Sequence, residues 1–269
     1  MHLLTVARGG MEPMTTNPWG LEGYGSSTYG DAFADVYDER YSDLGDDGFV
    51  DLLLGLLPEG GSRVLELGVG TGRLLSRLAA ERGEGRDELH GIDTSEPMLS
   101  RARSAPHLGA ATLSRHDFSV SLPAGPFDLV FCGWNTFMML PDVDAVSRAI
   151  GLAAGVLGDG SLAIDLTPPN PKWTTTMSGV ELDEMTADKV TLWAYRYDPA
   201  TCRMNSQYVE IAHGAAPVLR PTSVLYVPVE LLDELAAAAG LHLVHRSADG
   251  LGAVVTEESR RVVSVWRRP

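Results

Sequence analysis

Three closely spaced glycines carry the clearest chemical signal in this sequence. Residues 64–72 read Val-Leu-Glu-Leu-Gly-Val-Gly-Thr-Gly, an apolar run that ends in a G-x-G-x-G turn and leads into a helical pattern from Arg73. Glycines in such a turn permit positive φ and let a ligand approach the backbone closely. A pyrophosphate-binding turn instead spaces its glycines G-x-G-x-x-G. Because Arg73 follows the third glycine and the carboxylate of Glu66 precedes the turn, the pattern favours a cationic ligand and disfavours a nicotinamide dinucleotide.

A second carboxylate, Asp93, ends the next apolar run, Glu88–Ile92. An acid about 20 residues after the glycine turn of a βαβ unit can accept hydrogen bonds from the ribose hydroxyls of an adenosine. Taken alone, each feature is also typical of an ordinary tight turn or of a helix N-cap. Their occurrence in one βαβ unit favours a nucleoside ligand with positive charge and no phosphate. S-adenosylmethionine has this chemistry, and we expect it as the cofactor.

The composition disfavours two classes of partner, nucleic acids and membranes. The 269 residues carry a formal net charge of −15, which would repel a polyphosphate, so no nucleic-acid partner is expected. Gly, Pro or a charged residue interrupts every apolar run before it reaches the ~20 residues that span a bilayer, so no membrane partner is expected. Cys132 and Cys202, the two cysteines, supply neither a disulfide framework nor a metal-ligand spacing. The sequence therefore predicts a soluble, cytoplasmic protein without a metal.

The N-terminal part of the chain changes character near residue 29. Residues 1–28 are rich in Gly, Ser, Thr and Pro, and we predict a flexible extension without a secretory signal. Apolar residues then recur at helical spacing in Asp31–Tyr41 and in Asp46–Leu57. We expect these two helices to form a lid, residues 29–60, at the start of a domain that spans residues 29–269.

From Ser62 onward, short apolar runs alternate with helical segments, which is typical of βαβ units around a parallel sheet. Residues 168–221 interrupt this alternation, and two alternating runs around a turn at Asp198 predict a β-hairpin insertion. We therefore predict an α/β, Rossmann-like, doubly wound seven-stranded sheet with an antiparallel last strand. The predicted strands are Arg63–Leu67, Glu88–Ile92, Ala111–Ser114, Phe127–Cys132, Gly160–Asp165, Val190–Tyr197, Asn205–His213, Leu241–Arg246 and Arg261–Trp266, and the predicted helices of this part are Arg73–Arg82, Pro97–Ala105, Val143–Leu157 and Pro228–Ala239.

Together these motifs resemble the class I S-adenosylmethionine-dependent methyltransferases, and the resemblance covers residues 29–269. The resemblance rests on residues 64–72, 91–99, 116–118 and 127–131. In that family the glycine turn wraps the methionine end of the cofactor, which implies that Glu66, Gly68 and Gly70 line it. The acid that ends the second strand holds the ribose, which implies this role for Asp93.

The resemblance also implies residues for the adenine end of the cofactor. Thr94 and Met98 are expected beside the adenine, and Asp117 and Phe118 are expected to flank it. The loop after the fourth strand faces both cofactor and acceptor in that family, which implies a contact from Cys132.

The N-terminal aromatic residues are similar to the lid of small-molecule branches, including those that methylate amino sugars and other natural products. Tyr29 and Tyr37 are expected to close over the sulfonium, where an aromatic face favours a cation. The alternative is that Tyr37 and Tyr41 form the apolar stripe of a helix that packs on the sheet. The hairpin insertion matches, in position, the segment that covers the acceptor in this branch. No Asn-Pro-Pro-Tyr-type signature follows the fourth strand, which again disfavours nucleic acid.

Methyl transfer to a hydroxyl or an ammonium requires a base, and His has an unperturbed pKa near neutrality. His213, at the end of the second hairpin strand, is the candidate base, against the alternative of an ordinary surface histidine. Tyr37 is the second candidate for the catalytic machinery. The chemistry requires no metal.

The sequence thus predicts a methyltransferase that uses S-adenosylmethionine, releases S-adenosylhomocysteine, and methylates an O, N or C nucleophile of a small molecule, in secondary metabolism. A methyltransferase-like cyclase or isomerase that retains the cofactor site is an alternative, and a non-catalytic scaffold of the same fold is another. A monomer and a homodimer are both compatible with the sequence.

Overall fold

The structure, a computed structural model, describes residues 17–42 and 45–269. Strands and helices alternate from residue 63 to residue 166, and a block of strands follows. The helices are α1 (Thr28–Phe33), α2 (Tyr37–Arg40), α3 (Asp47–Leu56), α4 (Arg73–Arg82), α5 (Glu96–Ala102), α6 (Val143–Val156) and α7 (Val229–Ala238). The strands are β1 (Arg63–Leu67), β2 (Glu88–Asp93), β3 (Thr112–Arg115), β4 (Phe127–Cys132), β5 (Leu157–Leu166), β6 (Met177–Met185), β7 (Lys189–Asp198), β8 (Arg203–Ala212), β9 (Val218–Leu225), β10 (His242–Ser247) and β11 (Val262–Arg267).

Seven of these strands form the central sheet, in the order β10-β11-β5-β4-β1-β2-β3. The five from β3 to β5 in this order run parallel, and β11 is antiparallel to both of its neighbours. Strands buried on both faces read as mostly apolar runs, which is why the sequence delimits β1 and β4 to the residue. The predicted Rossmann-like sheet with an antiparallel last strand is confirmed.

Helices cover both faces of the central sheet. On one face, α6 and α7 bury Ile150 and Leu232 in a cluster that also holds Trp266. On the other face, α3 and α4 bury Phe49 and Leu75. The chain leaves β1 toward one side of the sheet and β4 toward the other, so a crevice opens at their carboxyl ends, where open α/β sheets bind ligands.

The remaining strands form a second, antiparallel sheet in the order β6-β7-β8-β9. The predicted hairpin corresponds to β7 and β8, and the structure adds a strand on each side of it. β6 and β9 lie at the edges, where Gly179 and Pro221 are tolerated although they weaken a strand signal. The second sheet extends to Leu225, beyond the predicted end of the insertion at residue 221.

The N-terminal elements differ from the prediction in two ways. The single helix expected over Asp31–Tyr41 is divided into α1 and α2. Residues 17–28, predicted to belong to a flexible extension, contact the rest of the molecule, since Tyr24 is buried and Trp19 Nε1 donates a hydrogen bond to Met139 O over 3.0 Å. The first 16 residues of that predicted extension lie outside the described residues.

Among the described residues there is neither a helix that could span a membrane nor a cluster of side chains that could hold a metal ion. No helix in residues 17–42 and 45–269 is both long and apolar enough to cross a membrane. No group of three or more His, Cys, Asp or Glu side chains in the same ranges is arranged to hold a metal ion.

Candidate functional site

A cavity lies in the crevice at the carboxyl ends of β1 and β4, where open α/β sheets bind their ligands. Its wall combines the glycine turn, the ends of β2 and β3, the loop after β4 and helix α1. It brings together all of the predicted site residues except Glu66, Cys132 and His213. The lining residues are Trp19, Ser26, Tyr29, Gly30, Tyr37, Gly68, Gly70, Asp93, Thr94, Met98, Asp117, Phe118, Trp134, Thr136, Met139, Leu140 and Pro141.

The glycine turn requires glycine for two different reasons. Gly68, Gly70 and Gly72 all have positive φ, at 71°, 54° and 86°. A Cβ at Gly68 would collide with the Thr136 side chain, and one at Gly72 would lie 2.7 Å from Leu108. A Cβ at Gly70 would meet no atom within 4 Å, so this backbone faces open space in the cavity. The turn thus offers bare backbone to a ligand.

Two buried polar atoms near this turn have no hydrogen-bond partner among the described residues, and one belongs to an acidic side chain and the other to a basic one. Glu66, two residues before the turn, is buried, and its Oε2 accepts no hydrogen bond from residues 17–42 or 45–269. Burial raises the pKa of Glu66 well above its usual range, and the nearby charge of Asp93 adds to that shift. Arg73, the residue after the turn, forms an ion pair with Asp46, but its Nε has no acceptor. Buried polar groups are nearly always paired, so both atoms indicate a missing ligand.

Asp93 lies at the end of β2, beside the turn. Its Oδ2 accepts a hydrogen bond from Gly70 N and its Oδ1 accepts one from Ser95 N, each over 2.9 Å. Burial raises the pKa of Asp93, although these backbone N–H groups oppose the shift. Each carboxylate oxygen has a further lone pair, so the side chain is fixed in place and still able to accept from a ligand.

A third part of the wall combines a polar and an apolar surface. Asp117 Oδ1 accepts hydrogen bonds from Ser119 N over 2.9 Å and Ser119 Oγ over 2.7 Å. Phe118 is buried and stacks on Phe137 with 5.7 Å between ring centroids, and Met98 is buried as well. A flat apolar group with polar edges fits such a wall.

Helix α1 and the start of α2 close the cavity with aromatic rings. Tyr29 OH donates a hydrogen bond to Tyr41 OH over 3.2 Å, and the rings of Tyr29 and Tyr37 meet edge to face at 6.5 Å. Burial raises the pKa of Tyr29 well above its usual value and that of Tyr37 to about 12. Thr94 Oγ1 donates to Ser26 O over 2.8 Å, which fixes the approach to α1 against the end of β2.

The loop after β4 is held in an uncommon conformation. Trp134 and Asn135 have φ of 48° and 63°, a region that non-glycine residues rarely occupy. Asp165, on β5, accepts from Trp134 N over 3.3 Å through Oδ2 and from Asn135 N over 3.2 Å through its backbone carbonyl. Arg261 forms two 2.8 Å bonds to the same carboxylate, and Trp134 Nε1 donates to Asp46. These contacts hold the Trp134 ring in the cavity wall.

Two of the predicted site residues lie away from the cavity. Cys132 is fully buried in the core between β4 and α6, and burial raises the pKa of its thiol well above the usual value. His213 is exposed, just beyond the end of β8. Arg203, at the other end of this strand, donates to Leu140 O and Pro141 O in the cavity wall over 3.0 and 2.6 Å. His213 therefore lies roughly 30 Å along the strand from that anchor.

Several residues that line the cavity were not predicted from the sequence. Trp19 lies in a stretch without periodicity, and its isolated position among Gly and Pro residues was the only available signal. Thr136, Leu140 and Pro141 belong to the segment after β4, whose bulky apolar residues are also typical of core. Their position over the crevice depends on the Arg203 and Trp19 contacts, which join parts of the chain far apart in sequence.

Comparison with known proteins identifies the family of this chain. Residues 64–160 match the family described as a methyltransferase domain. The structure of the CcbJ methyltransferase from Streptomyces caelestis is similar to this one with a TM-score of 0.81 and 30% sequence identity, over 91% of this chain and 99% of that chain. The protein belongs to the S-adenosylmethionine-dependent methyltransferases.

Two further proteins are similar to this methyltransferase, one in sequence and one in fold. An uncharacterized methyltransferase from Anoxybacillus flavithermus is 34% identical over 52% of this chain, and the match spans 59% of that relative's length. CalS10, an amino pentose methyltransferase from Micromonospora echinaspora with bound S-adenosylmethionine, has the same fold, with a TM-score of 0.63 and 20% identity over 87% of this chain and 97% of that chain. S-adenosylmethionine is the cofactor class of this family.

The residues of this methyltransferase fit the cofactor. S-adenosylmethionine ends in an amino acid, with an ammonium and a carboxylate on one carbon. Glu66 Oε2, which has no partner among the described residues, would accept from the ammonium, and Arg73 Nε, likewise without a partner there, would donate to the carboxylate. Asp93 is fixed by two backbone N–H groups and would accept from the ribose, and Asp117 and Phe118 line the cavity with the polar edge and the flat surface that an adenine needs.

Proposed function

We propose that this protein transfers a methyl group from S-adenosylmethionine to the amino group of a small molecule. The observation that carries the proposal is the pair of buried atoms, Glu66 Oε2 and Arg73 Nε, that have no partner among the described residues and belong to the residues on either side of a glycine turn that lines the cavity. A scaffold gains nothing from leaving two such atoms unpaired, since each destabilises the fold by about 1–3 kcal/mol. A bound cofactor removes that penalty.

The bound cofactor supplies a methyl carbon that is already activated by its positively charged sulfur. The protein's part is to align the nucleophile and to exclude water. Tyr29, Tyr37 and Trp134 form the wall around the methionine end of the cavity. An aromatic face favours the sulfonium before transfer and tolerates the neutral thioether after it.

The choice of an amine rests on the acid–base groups of the cavity. No histidine, lysine or cysteine is among the described residues that line it. Tyr29 and Tyr37 line it, but their raised pKa values keep both hydroxyls protonated near neutral pH. A hydroxyl acceptor needs a base as it attacks, whereas the unprotonated fraction of an amine attacks with its own lone pair and releases its proton to water after the transfer. The geometry therefore favours N-methylation over O-methylation.

We place the acceptor in a second cleft between α2 and the four-stranded sheet. Tyr41 lines this cleft and bonds to Tyr29 of the cofactor cavity, so the two spaces adjoin. Glu39 and Glu210 also line it, and within residues 17–42 and 45–269 neither takes part in a salt bridge. Carboxylates outside any salt bridge favour a molecule that carries amino groups, whereas the Tyr208 ring in the same cleft is already covered by the Arg40 guanidinium at 4.1 Å.

The biological setting forms part of the same proposal. CalS10 is named as an amino pentose methyltransferase of calicheamicin biosynthesis. We propose an acceptor of comparable size and polarity for this chain, made in secondary metabolism.

Calorimetry tests the cofactor half of the proposal. We expect S-adenosylmethionine and S-adenosylhomocysteine to bind and NAD and NADP not to bind, and Asp93→Ala to weaken binding while the far-UV circular dichroism stays unchanged. Binding of the nicotinamide nucleotides alone would overturn the assignment of the glycine turn.

Mass spectrometry with matched amine and alcohol acceptors tests the transfer half. Gain of one CH₂ on the amines alone supports N-methylation, and gain on the alcohols alone overturns it. Conversion of a substrate to a product of equal mass would favour a cyclase or isomerase instead.

A further inference from the structure

Helix α2 places Tyr37 in the wall of the cofactor cavity, but the helix has little to hold itself in place. It is four residues long, Tyr37–Arg40, and no residue in it is fully buried. A helix of this length is not stable without contacts to the rest of the molecule. The position of Tyr37 therefore depends on what its neighbours in α2 contact.

Asp38, the residue after Tyr37, is bonded directly to the glycine turn. Thr71 Oγ1 donates a hydrogen bond to Asp38 Oδ1 over 2.6 Å, a length typical of a hydroxyl that donates to an ionised carboxylate. Thr71 is buried, whereas about half of the Asp38 side chain is exposed. The bond therefore links a short helix at the surface to the interior of the cofactor site.

The turn fixes Thr71 in place. Thr71 lies between Gly70 and Gly72, which both have positive φ. Gly70 N donates to Asp93 Oδ2 over 2.9 Å, and Gly72 N donates to Val69 O over 2.8 Å. Because the backbone is hydrogen-bonded on both sides of Thr71, its hydroxyl is a fixed donor. The position of α2 thus follows the position of the turn.

Arg101 on α5 holds the other oxygen of Asp38. Its Nη1 lies 3.6 Å from Asp38 Oδ2, and its Nη2 donates to Asp35 O over 3.1 Å. An ion pair as exposed as this one contributes little to stability. It does limit the directions in which the Asp38 carboxylate can turn, so Oδ1 stays directed at Thr71.

Asp38 and Thr71 lie just outside the cofactor cavity, whereas their neighbours Tyr37 and Gly70 line it. The pair can therefore act on a ligand only through these neighbours. Gly70 belongs to the turn that would hold the methionine end of the cofactor, and Tyr37 belongs to the wall around the charged sulfur. The hydrogen bond fixes the distance between that turn and the Tyr37 ring.

We propose that Asp38 and Thr71 are positioning residues for methyl transfer, because their hydrogen bond holds the Tyr37 ring against the sulfonium of bound S-adenosylmethionine. The inference rests on the proposed function, since it requires that the cavity binds this cofactor. An aromatic ring held in this way favours the charged sulfonium over the neutral thioether. Tyr37 therefore contributes to the ratio of the affinities for S-adenosylmethionine and S-adenosylhomocysteine, whereas the turn contacts the part that the two molecules share.

Calorimetric titration of the full chain with both molecules tests the positioning role through that ratio. Thr71→Val keeps the branched shape and removes the hydroxyl, and we expect it to lower the affinity for S-adenosylmethionine relative to S-adenosylhomocysteine about three- to tenfold. Thr71→Ser retains a hydroxyl and should keep the natural ratio. Asp38→Ala should lower the ratio as Thr71→Val does, and the double variant should lower it no further, because both changes break the same bond.

Two further variants separate positioning from a general loss of a hydroxyl. Ser76→Ala removes a hydroxyl on α4 whose hydrogen bond, to Pro106 O, has the same length of 2.6 Å. Ser76 lies outside the cavity wall, so both affinities should stay unchanged. In a Tyr37→Leu background, where the ring is absent, Thr71→Val should no longer change the ratio.

An equal loss of affinity for both molecules in Thr71→Val would overturn the proposal, because the hydrogen bond would then hold the glycine turn alone. A lowered ratio that persists in the Tyr37→Leu background would also overturn it, since another group would be responsible. Should Thr71→Val fail to fold, Asp38→Ala decides the question by the same ratio, because Asp38 lies at a half-exposed position. A natural protein that binds neither molecule would instead contradict the proposed function itself, and this inference with it.

Discussion

The carboxyl group of Glu66 is the most informative single group in the molecule. It is the last polar side chain before the glycine turn, it is buried, and one of its oxygens has no partner. Desolvation disfavours its charged form and raises its pKa well above the usual range. A cationic ligand reverses that preference, because it favours the ionised carboxylate. Cofactor binding and the loss of a proton from Glu66 should therefore be linked.

This linkage predicts how cofactor affinity depends on pH. Because the free protein keeps Glu66 protonated to a higher pH than an ordinary glutamate, binding of the cofactor's ammonium releases a proton. The dissociation constant for S-adenosylmethionine should then rise as the pH is lowered through the raised pKa. Glu66→Gln should remove the proton release and weaken binding by about tenfold or more. Calorimetry in buffers of different ionisation enthalpy measures the released proton directly.

Glu81→Gln provides the control, since Glu81 is exposed on α4 and should change neither affinity nor proton release. Proton release that persists undiminished in Glu66→Gln would assign it to another group, with Asp93, whose pKa is also raised, as the first alternative.

The two predicted catalytic residues are expected to behave differently. His213 is exposed at the far end of β8, so His213→Ala should leave turnover unchanged at every pH. Tyr37 lines the cavity beside Arg73 and keeps its proton because burial raises its pKa to about 12, so Tyr37→Phe should lower turnover roughly tenfold by removing a hydroxyl donor. Steady-state kinetics with any identified acceptor measures both. A large loss in His213→Ala would show that this histidine reaches the acceptor.

Residues were predictable from sequence where local pattern alone determines their position. Gly68, Gly70 and Asp93 follow apolar strands, and the carboxyl ends of parallel strands meet at one edge of the sheet. Cys132 was predicted to contact the cofactor from its place at the end of β4, but the alternation of side chains across a strand turns it toward α6 and the core. Trp19 reaches the cavity only through long-range contacts that no periodicity reports.

At the scale of elements, the loop after β4 depends on support from β5 and β11. Two consecutive non-glycine residues with positive φ persist only where the surroundings hold them, and here Asp165 and Arg261 do so. The Asp165 side chain is 2% exposed and that of Arg261 20%. A salt bridge this buried contributes little net stability when intact, but loss of one partner leaves a buried charge uncompensated.

Arg261→Met should therefore destabilise the protein by about 3–5 kcal/mol, as measured by urea unfolding. It should also weaken cofactor binding, because the Trp134 ring loses the guanidinium that lies 4.6 Å above it. Arg260→Met, at the exposed neighbouring position, should change neither quantity. The double variant Asp165→Asn/Arg261→Met should recover part of the lost stability, and a further loss instead would contradict this account of the ion pair.

The elements of the central sheet were largely predictable, and those of the second sheet were not. Buried parallel strands such as β1 and β4 read as mostly apolar runs, each broken by a single inner acidic residue, Glu66 or Asp128, and their bounds agree with the prediction to the residue. β6 carries exposed aliphatic and acidic residues in alternation, and β9 contains Pro221, so neither has the composition of an ordinary strand. Their pairing with β7 and β8 depends on contacts between segments that are distant in sequence, and the local sequence pattern does not predict it.

At the scale of the whole molecule, the cofactor cavity is where separate parts of the chain meet. The central sheet supplies the floor, α1 and α2 supply the lid, and residues 17–24 join both to the second sheet. Arg203 fastens the second sheet to the carbonyls of Leu140 and Pro141, and Trp19 fastens the N-terminal segment to Met139 O. A ligand in the cavity therefore touches parts of the chain that are far apart in sequence.

This arrangement predicts where cofactor binding reduces amide hydrogen exchange. Because Trp19, Tyr29 and Tyr37 line the cavity, saturating S-adenosylhomocysteine should slow exchange across residues 17–41 as well as in the glycine turn. At a ligand concentration one hundred times the dissociation constant, global unfolding is opposed by about 2.7 kcal/mol more, so every fully protected amide slows to some degree. The local effect is the slowing of exchange beyond that of β10, which lies at the far edge of the central sheet and serves as the internal reference.

Trp19→Ala should remove this additional slowing in residues 17–24 and preserve it in the glycine turn, because the N-terminal segment would lose its contact with the ligand while the turn keeps its own. Equal slowing of β10 and residues 17–41 would mean that the ligand stabilises the fold without closing the lid.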